Sequence, residues 1–459
     1  MLRKYSIVFI VLLQICISFG AHVKSKRVCV IGAGIAGISS ARYLKEEGID
    51  FTVFESTRYI GGTWRYDTHV GTDENGQPLH TSMYKYLRTN LPKAPMEMRG
   101  FPLPDYLPSY PTGRDFYHYL EECVDRLDIR KYIKFLHAVV SVRRINDVWK
   151  VKYEHVVTKE IFEEDFDYII VGNGHFSKPS YPNIPGEDLF TGRIIHSHDY
   201  KAPEPFTNRR VLVVGAGPSG MDIGLEVADV ASALIHSHHS KINWTTPFPP
   251  HYHKKPDIKE FNETGVIFED GSFEEIDDVI YCTGFYYDFP FLDESSGLTM
   301  EPKSVVPLYR YTVNINQPSM FIMGAFIRAC LVVALDAQAR YATAYIKGNF
   351  SLPTRDEMML EWQKRMDTIR SKGLPTSYIH ILGEKEDEFY AELTRESGIE
   401  RVPPVMFKIR TMDTEAKIEN LYTYRNYAYT VIDDHTFVRK VEDPAIRKGM
   451  HEYGLAYMN

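Results

Sequence analysis

The sequence predicts an α/β protein built from two Rossmann-like, dinucleotide-binding domains, the second inserted into the first. Three observations carry that prediction. Two GxGxxG turns, Gly32/Gly34/Gly37 and Gly215/Gly217/Gly220, each follow an apolar run and open a helical pattern. Two further segments, "DFDYIIVGNG" and "EIDDVIYCTG", read as buried strands that end at glycine turns, Gly172/Gly174 and Gly284. A chain of 459 residues also exceeds what one hydrophobic core organises.

Arg3 and Lys4 precede an apolar run from Ile7 to Ile17, and Ser18 and Gly20 follow as small residues. A membrane span needs roughly 20 apolar residues, and this run is about half that. Residues 1–20 are therefore predicted to be a cleaved signal peptide. The sequons at Asn243, Asn262 and Asn349 fit a secretory route and are candidate glycosylation sites. Cys16 lies in the signal, while Cys29, Cys123, Cys282 and Cys330 are scattered among apolar residues and predict buried free thiols. A net charge of −8 argues against nucleic acid or an anionic membrane as the main partner. No later stretch is apolar enough for a membrane anchor, so a secreted, extracellular product is expected.

Val28 to Ile31 reads as the first strand. Gly32 makes the tight turn, Gly34 lets backbone approach a pyrophosphate, and Gly37 lets helix pack on strand. Ile35 and Ala36 open a helix whose N-terminus attracts the anion. Ile38, Ala41 and Leu44 form its apolar stripe. The next strand, Thr52 to Phe54, ends at Glu55, about 20 residues beyond the turn, where a carboxylate accepts hydrogen bonds from ribose. The second unit repeats the plan, with Pro218 and Ser219 opening the helix. Its strand Ala233 to His236 ends at Ser237 instead of an acid. A hydroxyl there tolerates a 2′-phosphate that a carboxylate would repel. The first site is thus predicted to hold FAD and the second NADPH.

Segment order predicts a FAD domain over 26–204 that resumes at 283–459, with an NADPH domain at 205–282 between. Thr354-x-x-Glu357 has capping-box spacing and predicts a helix through Arg370, after which the tail is expected to wrap the FAD domain. His236, His238 and His239 cluster without a fourth ligand at a recognisable spacing, so no metal is expected. His251 and His253 read as solvated loop.

Phe190-x-Gly192-x-x-x-His196-x-x-x-Tyr200 lies just before the second turn. It resembles FxGxxxHxxx(Y/F/W), the identifying motif of the flavin-containing monooxygenases. Tyr200-Lys201 differs from the ending that Baeyer–Villiger relatives favour, which points to the N- and S-oxygenating branch. The resemblance runs roughly from 26 to 345. It includes the glycine–tryptophan segment with Gly61, Gly62 and Trp64, the stretch carrying an active-site asparagine at Asn90, and the helix with Gln338 and Arg340. The signal peptide and short nucleotide domain resemble the secreted insect members, the pyrrolizidine-alkaloid N-oxygenases.

That resemblance implies an NADPH- and dioxygen-dependent monooxygenase that N-oxygenates tertiary amines, among them pyrrolizidine alkaloids such as senecionine, as a detoxification in haemolymph. It implies Asn90 as the catalytic residue, positioning flavin and nicotinamide ribose without titrating. Gly62, Trp64 and Gln338 would lie at the cofactor, and His196 and Tyr200 would hold the interdomain linker. A dimer is implied only by analogy. Two features depart from the family: His239, with Lys241 beyond it, stands where an arginine usually grips the 2′-phosphate, and the C-terminal apolar anchor of vertebrate members is missing. Among rivals, a disulfide reductase needs a Cys-x-x-Cys pair that is absent here, and an amine oxidase needs only the first turn. A broader xenobiotic N/S-oxygenase and a secreted, non-catalytic flavin carrier or redox sensor remain open alternatives.

Overall fold

The computed structural model describes residues 26–301 and 303–443, so the expected signal peptide lies outside the described residues. In chain order the framework is β1 (Arg27–Ile31), α1 (Ile35–Glu46), β2 (Asp50–Glu55), α2 (Gly113–Arg126), β3 (Ile133–Phe135) and β4 (Tyr168–Val171). It continues with β5 (Arg193–His196), β6 (Arg210–Val214), α3 (Pro218–Ala228), β7 (Ala233–Ser237), β8 (Tyr252–Lys255) and β9 (Asp278–Tyr281). Then follow β10 (Met320–Ile322), α4 (Leu331–Lys347), α5 (Arg355–Ser371), α6 (Glu386–Ser397) and α7 (Pro404–Glu419).

Two parallel sheets organise these elements. The first runs β10-β4-β1-β2-β3 and is extended beyond β10 by the short antiparallel strands Val313–Asn314 and Leu308–Tyr309. The second runs β8-β7-β6-β9-β5 and is parallel throughout. Parallel strands covered on both faces read as continuous apolar runs, as in "VCVI" and "VLVV". The expected stripe of α1 is buried, with Ile38, Ala41 and Leu44 packed in the main core beside α4. Tyr43 of α1 donates to Asp336 of α4 at 2.5 Å, and Arg340 pairs with the other oxygen of that carboxylate at 2.8 Å.

Phe285–Tyr286 pairs antiparallel with Lys178–Pro179, so the outgoing and returning connections between the two sheets run side by side. Thr354 and Glu357 exchange both bonds of the expected capping box, and α5 ends at Ser371, one residue beyond the expected end.

Two expectations are corrected and a third is extended. Arg193–His196, expected within the first FAD segment up to 204, is the edge strand of the second sheet. Ile194 and Phe190 pack into the core of that sheet with Leu212 and Ile235, and Arg193 pairs with the buried Asp278 at 2.7 Å. Residues 252–255, expected as loop, form edge strand β8; His253 is exposed on it, and His251 lies 2.8 Å from the Ala228 carbonyl oxygen. The tail after α6 does not only wrap the first domain but reaches loops of both sheets, as described below.

Candidate active site

Both glycine turns sit at the carboxyl ends of parallel strands, the position where open α/β sheets bind ligands. Gly32 has φ +94° and Gly215 φ +105°, in the left-handed region that glycine enters without strain. A Cβ on Gly32 would lie 2.8 Å from the Gly172 carbonyl oxygen, and one on Gly215 2.5 Å from that of Cys282. Beside Gly34 and Gly217 the space is open: a Cβ would meet only the Gly62 Cα at 3.8 Å in the first case and nothing within 4 Å in the second.

The helices that follow are left bare. The N-caps of α1 and α3 are Gly34 and Gly217, with no side-chain cap and no acid in the first turn. By contrast, α2 and α5 begin with complete capping boxes at Thr112 and Thr354. Uncapped amides and the positive end of the helix dipole favour an anion, so the residues present fit a dinucleotide pyrophosphate at each turn.

Glu55 ends β2 beside the first turn. Its carboxylate accepts from the Ala33 N–H at 2.9 Å and from the Thr57 N–H and hydroxyl at 2.9 and 2.8 Å. Burial pushes this carboxyl up, while those donors pull the other way. Ser237 ends β7 in the equivalent place; it is buried, and its hydroxyl donates to the Pro256 carbonyl at 2.7 Å. The glycine–tryptophan segment docks on the first turn: Gly61 N–H donates to the Ala33 carbonyl at 2.9 Å, Gly62 lies against Gly34, and Trp64 packs on Phe116 at 4.4 Å.

Gln338 is otherwise. Its amide is engaged within the protein, accepting from Gly324 N–H at 2.9 Å and donating to Thr312 Oγ1 at 2.8 Å and the Tyr311 carbonyl at 3.1 Å. Any part it plays at a cofactor is that of a support. Asn90 is exposed on the loop before the short helix Lys93–Met96, and no described residue hydrogen-bonds its side-chain amide. The His236 ring is taken up by Tyr252 Oη and the Gly215 carbonyl.

The motif residues form the joint between sheets. Phe190 packs on Phe261, and a Cβ on Gly192 would strike the Phe190 ring and approach the Asp277 carbonyl to 2.5 Å. His196 is buried beside Phe285 of the return connection, at 5.1 Å between rings, and its Nδ1 accepts from His198 N–H. Tyr200 donates to Glu226 of α3 at 3.0 Å and packs edge-on against Tyr84 at 5.5 Å. Replacing Gly192 by alanine is therefore expected to weaken NADPH binding and lower the melting temperature together, measured by cofactor titration and calorimetry.

Sequence reasoning missed Asp222 and Glu226. They lie four apart on one face of α3, a like-charge spacing that destabilises a helix unless a cation or proton compensates. Tyr84 donates to Asp222 at 2.5 Å, and Arg425 pairs with its other oxygen at 2.7 Å. Burial and the Asp222 charge push Glu226 up to about 8, while burial holds His196 and His236 down at about 4. The histidines favour the native state above pH 6.5 and lose that contribution as pH falls toward 4; Glu226 favours it below pH 4.5 and loses its contribution as pH rises through 8. Thermal melts should show greatest stability near neutrality. Glu226→Gln should flatten the curve above pH 6.5 and steepen its rise between 4.5 and 6.5.

The comparisons agree with this geometry. The profile of the family described as FMO-like, flavin-binding monooxygenase-like, matches residues 25–245 and 251–398. A senecionine N-oxygenase from Tyria jacobaeae is 38% identical, covering 96% of this chain and 97% of its own. A trimethylamine monooxygenase from Roseovarius nubinhibens is 33% identical over 73% of this chain and 78% of its own. The solved structure of S-allyl-L-cysteine S-oxygenase from Allium sativum superposes with a TM-score of 0.81 at 27% identity, over 94% of this chain and 99% of its own. The chain belongs to the flavin-containing monooxygenases, a family whose typical cofactors are FAD and NADPH.

Proposed function

We propose that this enzyme uses NADPH and dioxygen to N-oxygenate tertiary amines, pyrrolizidine alkaloids such as senecionine among them. The observation that carries this reading is 38% identity with a senecionine N-oxygenase sustained over 96% of the chain. A broader N- and S-oxygenating range is the second reading, favoured by the likeness to an S-oxygenase over 94% of the chain.

Bound FAD, reduced by NADPH, supplies the oxygen-transfer chemistry. The chain's own residues bind and orient. The bare amides after Gly34 and Gly217 would hold the two pyrophosphates, Glu55 would accept from the FAD ribose, and Ser237 would lie at the NADPH ribose. Asn90, its amide uncommitted among the described residues, would offer a donor and an acceptor to flavin and nicotinamide ribose. Tyr200 and His196 hold the joint across which the sites face each other. No acid–base pair is required.

At the expected 2′-phosphate position, His239 Nδ1 lies 3.1 Å from Asp257. A carboxylate beside an imidazole supports phosphate less well than an arginine fork. His239→Arg is expected to raise the preference for NADPH over NADH about tenfold, roughly 1.4 kcal/mol, read as a ratio of kcat/KM values.

Export of the protein would place this chemistry outside cells, where a polar N-oxide re-enters poorly. The exposed sequons Asn243 and Asn349 support that route; Asn262 is half-buried, and its side-chain oxygen accepts from Thr264 and Gly265. Among the described residues no helix is long and apolar enough to cross a membrane. The activity is tested by incubating purified protein with NADPH and a panel of tertiary amines and thioethers. An oxygenase gives products one oxygen heavier, matched to NADPH loss; a flavin carrier gives neither.

A further inference from the structure

The family profile ends at residue 398, and the chain beyond it contacts both domains. Helix α7 and the following hairpin, Tyr427–Val431 with Phe437–Val441, build a small core with Tyr110 of the first domain. The same stretch touches the second domain: Thr245 Oγ1 donates to the Glu419 carbonyl at 2.8 Å, and Leu421 N–H donates to Thr246 Oγ1 at 3.0 Å. It is therefore a strap across both cofactor domains.

Two cations of the strap converge on one short loop. Lys417 of α7 donates to the Asn90 carbonyl and pairs with Asp413 at 2.5 Å, and Asp413 also accepts from Tyr110 Oη at 2.6 Å. Arg425 donates to the Thr89 carbonyl at 3.2 Å and the Arg88 carbonyl at 3.3 Å. Its third contact is Asp222 of α3, the helix that carries the second glycine turn at its N-terminus. Three successive carbonyls, 88 to 90, are thus held by cations, and one of those cations also grips the NADPH-binding helix. Such charges are costly to desolvate unless each finds a fixed partner, so the arrangement has few alternatives. Tyr84, earlier on the same segment, donates to that same Asp222 at 2.5 Å, so the loop and the helix meet at one carboxylate that Arg425 also holds.

We infer that Lys417 and Arg425 are positioning residues for oxygen transfer: they set the Asn90 loop in register with the NADPH-binding helix. The inference rests on the reading of Asn90 given above. In the coupled reaction NADPH, a proton, dioxygen and the amine give NADP⁺, water and the N-oxide. Without coupling, the same two electrons and two protons leave on dioxygen as hydrogen peroxide. Loss of register shifts turnover from the first outcome to the second.

The test uses full-length holoenzyme with senecionine and four variants: Lys417→Met, Lys417→Arg, Asn90→Ala, and Lys417→Met with Asn90→Ala. Bound FAD, NADP⁺ affinity from perturbation of the flavin absorbance, and N-oxide formed per NADPH consumed are measured. Lys417→Met should keep its FAD while the N-oxide yield per NADPH falls about tenfold, as expected for a misplaced group, with peroxide making up the remainder. Lys417→Arg should restore the yield, and Lys417→Met should add nothing in the Asn90→Ala background. Because a yield per NADPH does not depend on how much protein is folded, mere destabilisation would leave it unchanged. A normal yield in Lys417→Met beside an impaired Asn90→Ala overturns this inference alone, as does an equal further loss in the double variant. A normal yield in Asn90→Ala overturns the reading of Asn90, and this inference with it.

Discussion

Asn90→Ala is expected to leave a folded yellow protein whose N-oxide formation falls on the order of a hundredfold. The side chain contributes nothing to the fold, since no described residue bonds its amide, while its carbonyl is held by Lys417 whatever side chain is present. On the proposed reading the amide supplies positioning, and a shift of about 1 Å in a reacting geometry costs that much rate. Product measured by mass against NADPH loss is the check. Undiminished N-oxide formation would remove Asn90 from the site.

The second large effect is a pair of opposite losses. A Cβ on Gly220 would land on the Gly215 carbonyl oxygen and reach 3.3 Å from Cys282 Cβ; a Cβ on Gly37 would land on the Gly32 carbonyl oxygen. Each is backbone against backbone, so the turn must open and its amides leave the pyrophosphate. Gly220→Ala should keep FAD and weaken NADPH binding on the order of a hundredfold, roughly 2.7 kcal/mol. Gly37→Ala should instead be isolated largely without flavin. The visible spectrum and an NADPH titration distinguish the two. The same loss from both variants would mean that the turns do not serve separate cofactors.

Much of this was legible in the sequence because it is local. A GxGxxG turn draws its meaning from a few neighbouring residues, and the strand before it and helix after it form where the apolar pattern places them. The capping box at Thr354 is local in the same way. What the sequence hid is long-range. Arg425 meets Asp222 and the carbonyls of Arg88 and Thr89 across hundreds of residues, and no period or spacing announces such a meeting. Only the acidic pair Asp222/Glu226 on one helical face hinted that a compensating partner was due. Arg193–His196 was placed within the first FAD segment and not read as a strand, because an edge strand of four residues has too little pattern to declare itself. Gln338 matched its family position, yet the fold occupies its amide with Gly324, Tyr311 and Thr312.

Everything depends on two nucleotides facing each other across the joint formed by His196, Tyr200 and the paired connections. The direct measurement is anaerobic addition of NADPH to the purified protein, followed by air and senecionine. The flavin colour should bleach under NADPH, return with oxygen, and leave one N-oxide for each NADPH consumed. A colourless protein unable to take up FAD, or a bound flavin that NADPH does not bleach, would contradict the account.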